Sequence, residues 1–330
     1  MAAFCATAAS PTFYPTVGQV TAFDPSFNAI VPADARIEKI AEGISWAEGP
    51  AWVRKGGYLL FTDPRQNKMY RWAEKDGLSV FMEPAGYAGP PDSTLSEPGA
   101  NGLLLEPAGT LLLADSGSRN LARFDPKTKQ KTVLVDRFEG HRFNSPNDMV
   151  RGRDGTVYFT DPPFGLRGMD KSPVRETPFS GVYRLDPDGK VHLVDDSLKF
   201  PNGILLSPDG RRLYVSDTDF ANPVWMVYAL DARGEVTEKH VLARARDLPP
   251  GGVRGGNPDG MCMSSNGNLF TSAPGGLVVM NPDGKPLGRI ETGSTVSNCT
   301  FGDDGHTLYM TSTSFVARVR VGVMGLGYGR

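Results

Sequence analysis

Six side chains that carry an oxygen donor recur at the same place in a repeated segment: Glu48, Asn101, Asn147, Asn202, Asp259 and Asn298. Each opens a short apolar run, as in EGPAWVRKGGYLLFTD from Glu48, NGILLSPDGRRLYVSD from Asn202 and DGMCMSSNGNLFTSA from Asp259. If the six runs are arranged around one axis, the six side chains form a ring facing it. Carboxylate and amide oxygens, with no thiol or imidazole among them, are the donor set of a hard divalent cation, Ca²⁺ ahead of Mg²⁺. Glu48 and Asp259 would offset the ion's charge, and the asparagine oxygens would fill further positions. A cation held in this way can act as a Lewis acid on a carbonyl or phosphoryl oxygen.

Asn-Gly and Asp-Gly are also ordinary turn signals, and this chain uses them freely. DPDG at 186–189, SPDG at 207–210 and NPDG at 281–284 read as hairpin turns. NPDG at 257–260 is identical to the copy at 281–284, and only register separates them. Asp259 opens the run MCMS, whereas Asp283 lies in a loop after LVVM. Six oxygen-bearing residues in one register favour the ring over six coincident turns.

The elements that must position these residues are strands. Val-Tyr-Phe-Thr, Leu-Tyr-Val-Ser and Leu-Tyr-Met-Thr are β-branched and aromatic runs of strand length bounded by turn residues. No long 3.6-residue periodicity competes with them. Gly155, Gly210, Gly267 and Gly305 fall in the turn between the first two strands of a unit, where a positive φ suits glycine. The anchors are spaced roughly 40 to 57 residues apart, the length of a four-stranded propeller blade. One such sheet cannot bury both its faces, so six must pack around an axis. The expectation is an all-β, six-bladed β-propeller over residues 36–330. Residues 1–35 would form an N-terminal arm, with the option of supplying the outer strand that closes the ring.

Composition narrows the function. A formal charge of −2 argues against nucleic-acid binding, and no run approaches a membrane-spanning helix. Cys5, Cys262 and Cys299 offer neither a disulfide framework nor a zinc site, and the latter two read as buried small hydrophobes. There is no G-x-S-x-G elbow for a serine hydrolase. The sequon Asn298-Cys299-Thr300 falls on an inner strand and reads as accidental. MAAFCATAASP lacks the basic and apolar regions of an intact signal peptide. The expected compartment is the cytoplasm, or the periplasm or exterior if that stretch is the remnant of a cleaved signal.

In order along the chain, EGP (48–50), RFNSPND (142–148), FPNGILLSPDGRRLYVSDT (200–218) and NPDGM (257–261) resemble the SMP-30/gluconolactonase family, its bacterial gluconolactonase branch most of all. The resemblance runs from about Ala41 to Val319. It implies a six-bladed propeller with one catalytic divalent cation, and hydrolysis of a lactone or related ester. By motif, the metal ligands fall on Glu48, Asn147, Asn202 and Asp259. The expected cation is Ca²⁺, with Mg²⁺, Mn²⁺ or Zn²⁺ as alternatives. Two departures bear on the substrate. A Glu-His-Gly motif common in such sequences is replaced by Asp115-Ser116-Gly117, and the loop GYAGPPDSTLSEPGA before Asn101 is long and rich in proline.

On this reading a small-molecule lactone, most of all a sugar lactone such as glucono-1,5-lactone, is the partner, with no role for nucleic acid or membrane. Asp259 is the expected general base, with Glu48 as second choice. Asn101, Arg142 and Asn144 are candidates to bind sugar hydroxyls or the developing carboxylate. Asp148, beside Asn147, would complete that group by orienting the metal site. The alternatives are a related propeller esterase or phosphotriesterase, and a non-catalytic calcium-binding propeller.

Overall fold

The computed structural model describes residues 13–252 and 255–328. Six four-stranded antiparallel sheets follow one another along the chain, spanning residues 48–82, 103–135, 149–195, 201–244, 261–291 and 298–320 plus the closing strand. The innermost strands are Glu48–Val53, Leu103–Leu105, Met149–Arg151, Pro201–Leu206, Met261–Met263 and Asn298–Gly302. Each packs beside the next, and the sixth returns to the first, so the chain is a six-bladed β-propeller.

Strand order within every blade runs outward from the axis. In the sixth blade the outermost place is taken by Glu38–Glu42, which pairs with Phe315–Arg320. The ring is therefore closed by a strand that begins just after the boundary at residue 36. The segment before that boundary adds Gln19–Ala22 as a fifth strand on the outside of blade five. Both additions cover a sheet edge that would otherwise expose unpaired backbone groups. Cys5 and the stretch MAAFCATAASP lie outside the described residues.

The core is divided between neighbours. Its six apolar clusters each join two adjacent blades; one, for example, sets Trp52, Leu59 and Trp72 of blade one against Tyr309 and Val316 of blade six. Trp52 stacks on Tyr309 with ring centroids 5.1 Å apart. No blade buries both faces alone, which is the physical reason the repeat had to close.

The turn readings hold. Gly189, Gly210 and Gly284 end the three hairpin tetrapeptides with φ of 90°, 73° and 83°. Gly155, Gly267 and Gly305 likewise have φ between 88° and 95°. Cys262 and Cys299 are both buried, on adjacent inner strands, with sulfurs 2.8 Å apart. Asn298 is buried as well, out of reach of a glycosylating enzyme. Among the described residues no helix is long and apolar enough to cross a membrane.

Candidate active site

The inner strands are fixed by a device repeated around the ring. In blades one to five a hydroxyl near the end of the second strand donates to a backbone carbonyl at the start of the next blade, and in blade six a serine ahead of the innermost strand does so. Thr62 bonds the carbonyl of Asn101 at 2.8 Å, Thr160 that of Asn202 at 2.6 Å, and Ser216 that of Asp259 at 2.7 Å. Ser116 reaches Pro146 at 2.6 Å and Ser272 reaches Ser297 at 2.9 Å, while Ser297 closes the ring on Ala47 at 2.5 Å. The aspartate that follows the hydroxyl in three blades works inward on its own blade. Asp63 accepts the amide of Ser45, Asp161 those of Asn144 and Ser145, and Asp217 those of Lys199 and Phe200. Each of these amides lies two or three residues before Glu48, Asn147 or Asn202.

The glycine after several anchors serves the same packing. A Cβ on Gly49 would stand 2.1 Å from the carbonyl oxygen of Asn101, and one on Gly203 would stand 2.3 Å from that of Asp259. Glycine is needed at both positions for close approach between inner strands, and at Gly49 also for a φ of 46°.

Around the axis at one end of the ring is a cavity of about 580 Å³, within the usual range for small-molecule sites. Glu48, Asn101, Asn147, Asn202 and Asp259 all line it. Trp46, Arg65, Ser96 and Glu97 form its wall on the side of blades one and two. Phe164, Leu166 and Met169 from blade three and Phe220 from blade four make an apolar stretch. Of the six anchors, Asn298 is not among the lining residues.

Burial pushes the carboxyl groups of Glu48 and Asp259 well above the ordinary range. For Glu48 the next cause is the charge of Asp259; for Asp259 it is the charges of Asp148 and Glu97. Glu48 is held at both oxygens: Trp46 Nε1 donates to Oε1 at 3.1 Å and the Gly49 amide to Oε2 at 3.3 Å. Asp259 is partly open to the cavity. Among the described residues, the side chain of buried Asn147 has no hydrogen-bond partner, and the buried Oδ1 of Asn101 has none either. Asn202 donates its amide to Thr218 at 3.1 Å. Mutually repelling buried carboxylates are costly in a protein interior, and a divalent cation beside Glu48 and Asp259 would relieve that cost, with the uncommitted Asn147 side chain as a further oxygen donor. Among the described residues no three His, Cys, Asp or Glu side chains converge as a metal site, so an ion here would need the asparagine oxygens. The residues fit a hard cation.

A model of the SMP-30/gluconolactonase/LRE-like region matches residues 46–314. The chain belongs to this family. It is 45% identical to a gluconolactonase of Zymomonas mobilis, over 94% of this chain and 88% of that one. A gluconolactonase structure from Xanthomonas campestris superposes with a TM-score of 0.79 at 29% identity, covering 96% of this chain and 99% of that one. A calcium-binding regucalcin from Agrobacterium tumefaciens shares the fold, with a TM-score of 0.64 at 19% identity over 86% and 92% of the two chains.

Within this family member, three sequence-predicted residues stand away from the cavity wall. Asn144 is fully buried: its Nδ2 donates to the carbonyls of Asp161 and Phe179, and its Oδ1 accepts from Arg175 Nε. Both ends of its amide are engaged within the protein, and it does not line the cavity. Arg142 belongs to a two-stranded hairpin, Arg137–Phe138 with His141–Arg142, and its guanidinium donates to the carbonyl of Ser118 at 2.9 Å. It braces a loop and is likewise not a lining residue. Asp148 sits behind the lining residues, with Oδ1 accepting the Met149 amide at 2.8 Å. Burial pushes its carboxyl up to about 7, opposed by that amide and by the Asn298 side chain.

The sequence reading missed Arg65 and Glu97. Glu97 lies in the long loop before Asn101, and that loop is joined to the one following Asp161 in blade three. Ser96 N donates to the Gly165 carbonyl at 2.9 Å, Arg167 N to Thr94 at 2.7 Å, and Arg167 Nε to Ser93 at 2.8 Å. Leu95 and Leu166 form a bridge between the two segments. Only the unusual length of the loop signalled any of this.

Proposed function

We propose that the chain opens the ring of a small lactone, a sugar lactone such as glucono-1,5-lactone, by attack of water on the ester carbonyl. The observation that carries this reading is the convergence of Glu48, Asn101, Asn147, Asn202 and Asp259 on one cavity, in a chain so similar to a gluconolactonase. Glu48, Asn147, Asn202 and Asp259 would hold one divalent cation. Ca²⁺ comes first, since two carboxylates and neutral amide oxygens leave room for further oxygen ligands; Mg²⁺, Mn²⁺ and Zn²⁺ are the alternatives. The cation supplies Lewis-acid polarisation of the ester carbonyl and offsets the charge that develops on its oxygen.

Asp259 takes the proton of the attacking water. Its side chain opens to the cavity, whereas both oxygens of Glu48 are occupied by Trp46 and Gly49. Asn101, a lining residue outside the proposed ligand set, hydrogen-bonds the substrate. Asp148 supports the site from behind and touches no substrate.

The test is hydrolysis of glucono-1,5-lactone followed by pH indicator, before and after EDTA and with each cation restored. Asp259→Asn is expected to abolish turnover above the spontaneous rate, and near-wild-type activity in that variant would sink the assignment. The apolar stretch of Phe164, Leu166, Met169 and Phe220 favours one second reading, an ester or phosphotriester with an apolar leaving group. Faster cation-dependent turnover of such esters than of any lactone would select it.

A further inference from the structure

Glu97 presents an unusual combination. Its side chain is 13% exposed and lines the cavity, yet among the described residues no donor stands within hydrogen-bond distance of its carboxylate. Its nearest cation is Arg65 Nε at 4.0 Å, too far for a hydrogen bond. Burial pushes the Glu97 carboxyl up to about 7, with Arg65 acting against that rise. Arg65 is itself a lining residue, without a hydrogen bond from its guanidinium to any described residue. Its guanidinium carbon lies over the ring of Trp46, 4.4 Å from the centroid, and Trp46 in turn bonds Glu48. A buried acceptor and a preoriented donor therefore stand side by side, unspent, on the wall beside the proposed metal ligands.

We infer that Arg65 and Glu97 form the subsite that recognises the hydroxyl groups of the lactone, and so make the enzyme selective for polyhydroxylated rings. The inference rests on the lactonase reading and deepens it. Neighbouring hydroxyls of a sugar ring can each donate to one oxygen of a carboxylate while their own oxygens accept from a guanidinium. A substrate that fills both roles satisfies two groups the protein leaves unpaired. A ring without hydroxyls leaves them stranded, which is how a polar site rejects an apolar analogue. Neither residue takes part in the bond-breaking step.

The experiment compares glucono-1,5-lactone with δ-valerolactone, which has the same six-membered ester ring without hydroxyls. Wild type, Glu97→Gln and Arg65→Met are assayed with saturating Ca²⁺. Each substitution is expected to lower kcat/KM for gluconolactone by at least about tenfold, mainly through KM. Each should leave δ-valerolactone within about twofold of wild type. Arg65 is half exposed, so its variant stays folded even if Glu97→Gln does not. An equal loss on both lactones, or no loss on either, overturns the inference while leaving the lactonase reading intact. So does a large rise in the Ca²⁺ concentration needed by Glu97→Gln, since that would make Glu97 part of the cation site. A wild type inert on both lactones overturns the lactonase reading, and this inference with it.

Discussion

Thr160→Val tests whether the hydroxyl ties between blades hold the site together. Valine keeps the shape of threonine and removes one oxygen. That oxygen donates to the carbonyl of Asn202 at 2.6 Å and accepts from the amide of Asp148 at 3.2 Å, in a residue with no solvent exposure. The substitution strands two buried backbone groups, at about 1–3 kcal/mol each. Partial relaxation brings the expected total to roughly 2–4 kcal/mol. For a chain of 330 residues the unfolding entropy is about 0.7 kcal/mol/K, so the melting temperature should fall by roughly 3–6 °C. The loss should extend to the site, because Asn202 and Asp148 lie at and behind the cavity wall. The Ca²⁺ concentration giving half-maximal lactone hydrolysis should rise in parallel. Calorimetry and a Ca²⁺ titration of activity read the two effects. Thr132→Val, at an exposed hydroxyl on an outer strand, is the control and should change little. If Thr160→Val melts within about 1 °C of that control, the ties contribute nothing and the reasoning fails.

Gly203→Ala would place a Cβ 2.3 Å from the carbonyl of Asp259, and overpacking of this kind costs about 1–3 kcal/mol. Thermal unfolding should show that loss together with weaker cation dependence, whereas Gly109→Ala, where nothing lies within 4 Å, should leave the cation dependence unchanged. Asn144→Ala should lower the melting temperature by several degrees yet leave KM unchanged, because the asparagine is spent on Asp161, Phe179 and Arg175. Adding Ca²⁺ at about 100 times its dissociation constant should stabilise the wild type by about 2.7 kcal/mol, a rise of roughly 4 °C. Asp259→Asn should lose most of that rise, which tests the ligand set without any substrate.

Much of the architecture was legible because it is periodic. Local strand and turn chemistry repeats six times, and closure of the ring follows from blades that cannot bury both faces. Register alone distinguished Asp259, at the cavity, from Asp283, whose side chain is 80% exposed in a hairpin turn of identical sequence. The ties were written there too, as a hydroxyl residue near the end of the second strand in five blades, but a single threonine reads as strand propensity until its acceptor is known. Asn144 and Arg142 stand off the cavity wall because nearness in sequence to Asn147 says nothing about direction; Asn144 faces Asp161 and Phe179. Glu97 and Arg65 were hidden for the opposite reason. They are 32 residues apart in sequence, and the position of Glu97 depends on a loop of another blade.

The joining of the loop at 84–102 to the one at 162–180 bears on how such a pocket can be altered, by breeding or by design. Blades are separate units, and a single blade looks like a natural cassette for exchange. Here the rim crosses that boundary: a change of length in either segment unseats Ser96 from Gly165 and Arg167 from Thr94. The heritable unit of substrate choice is therefore the pair of segments, taken together from one parent. Chimeras that split the pair should yield sound propellers with ill-formed mouths.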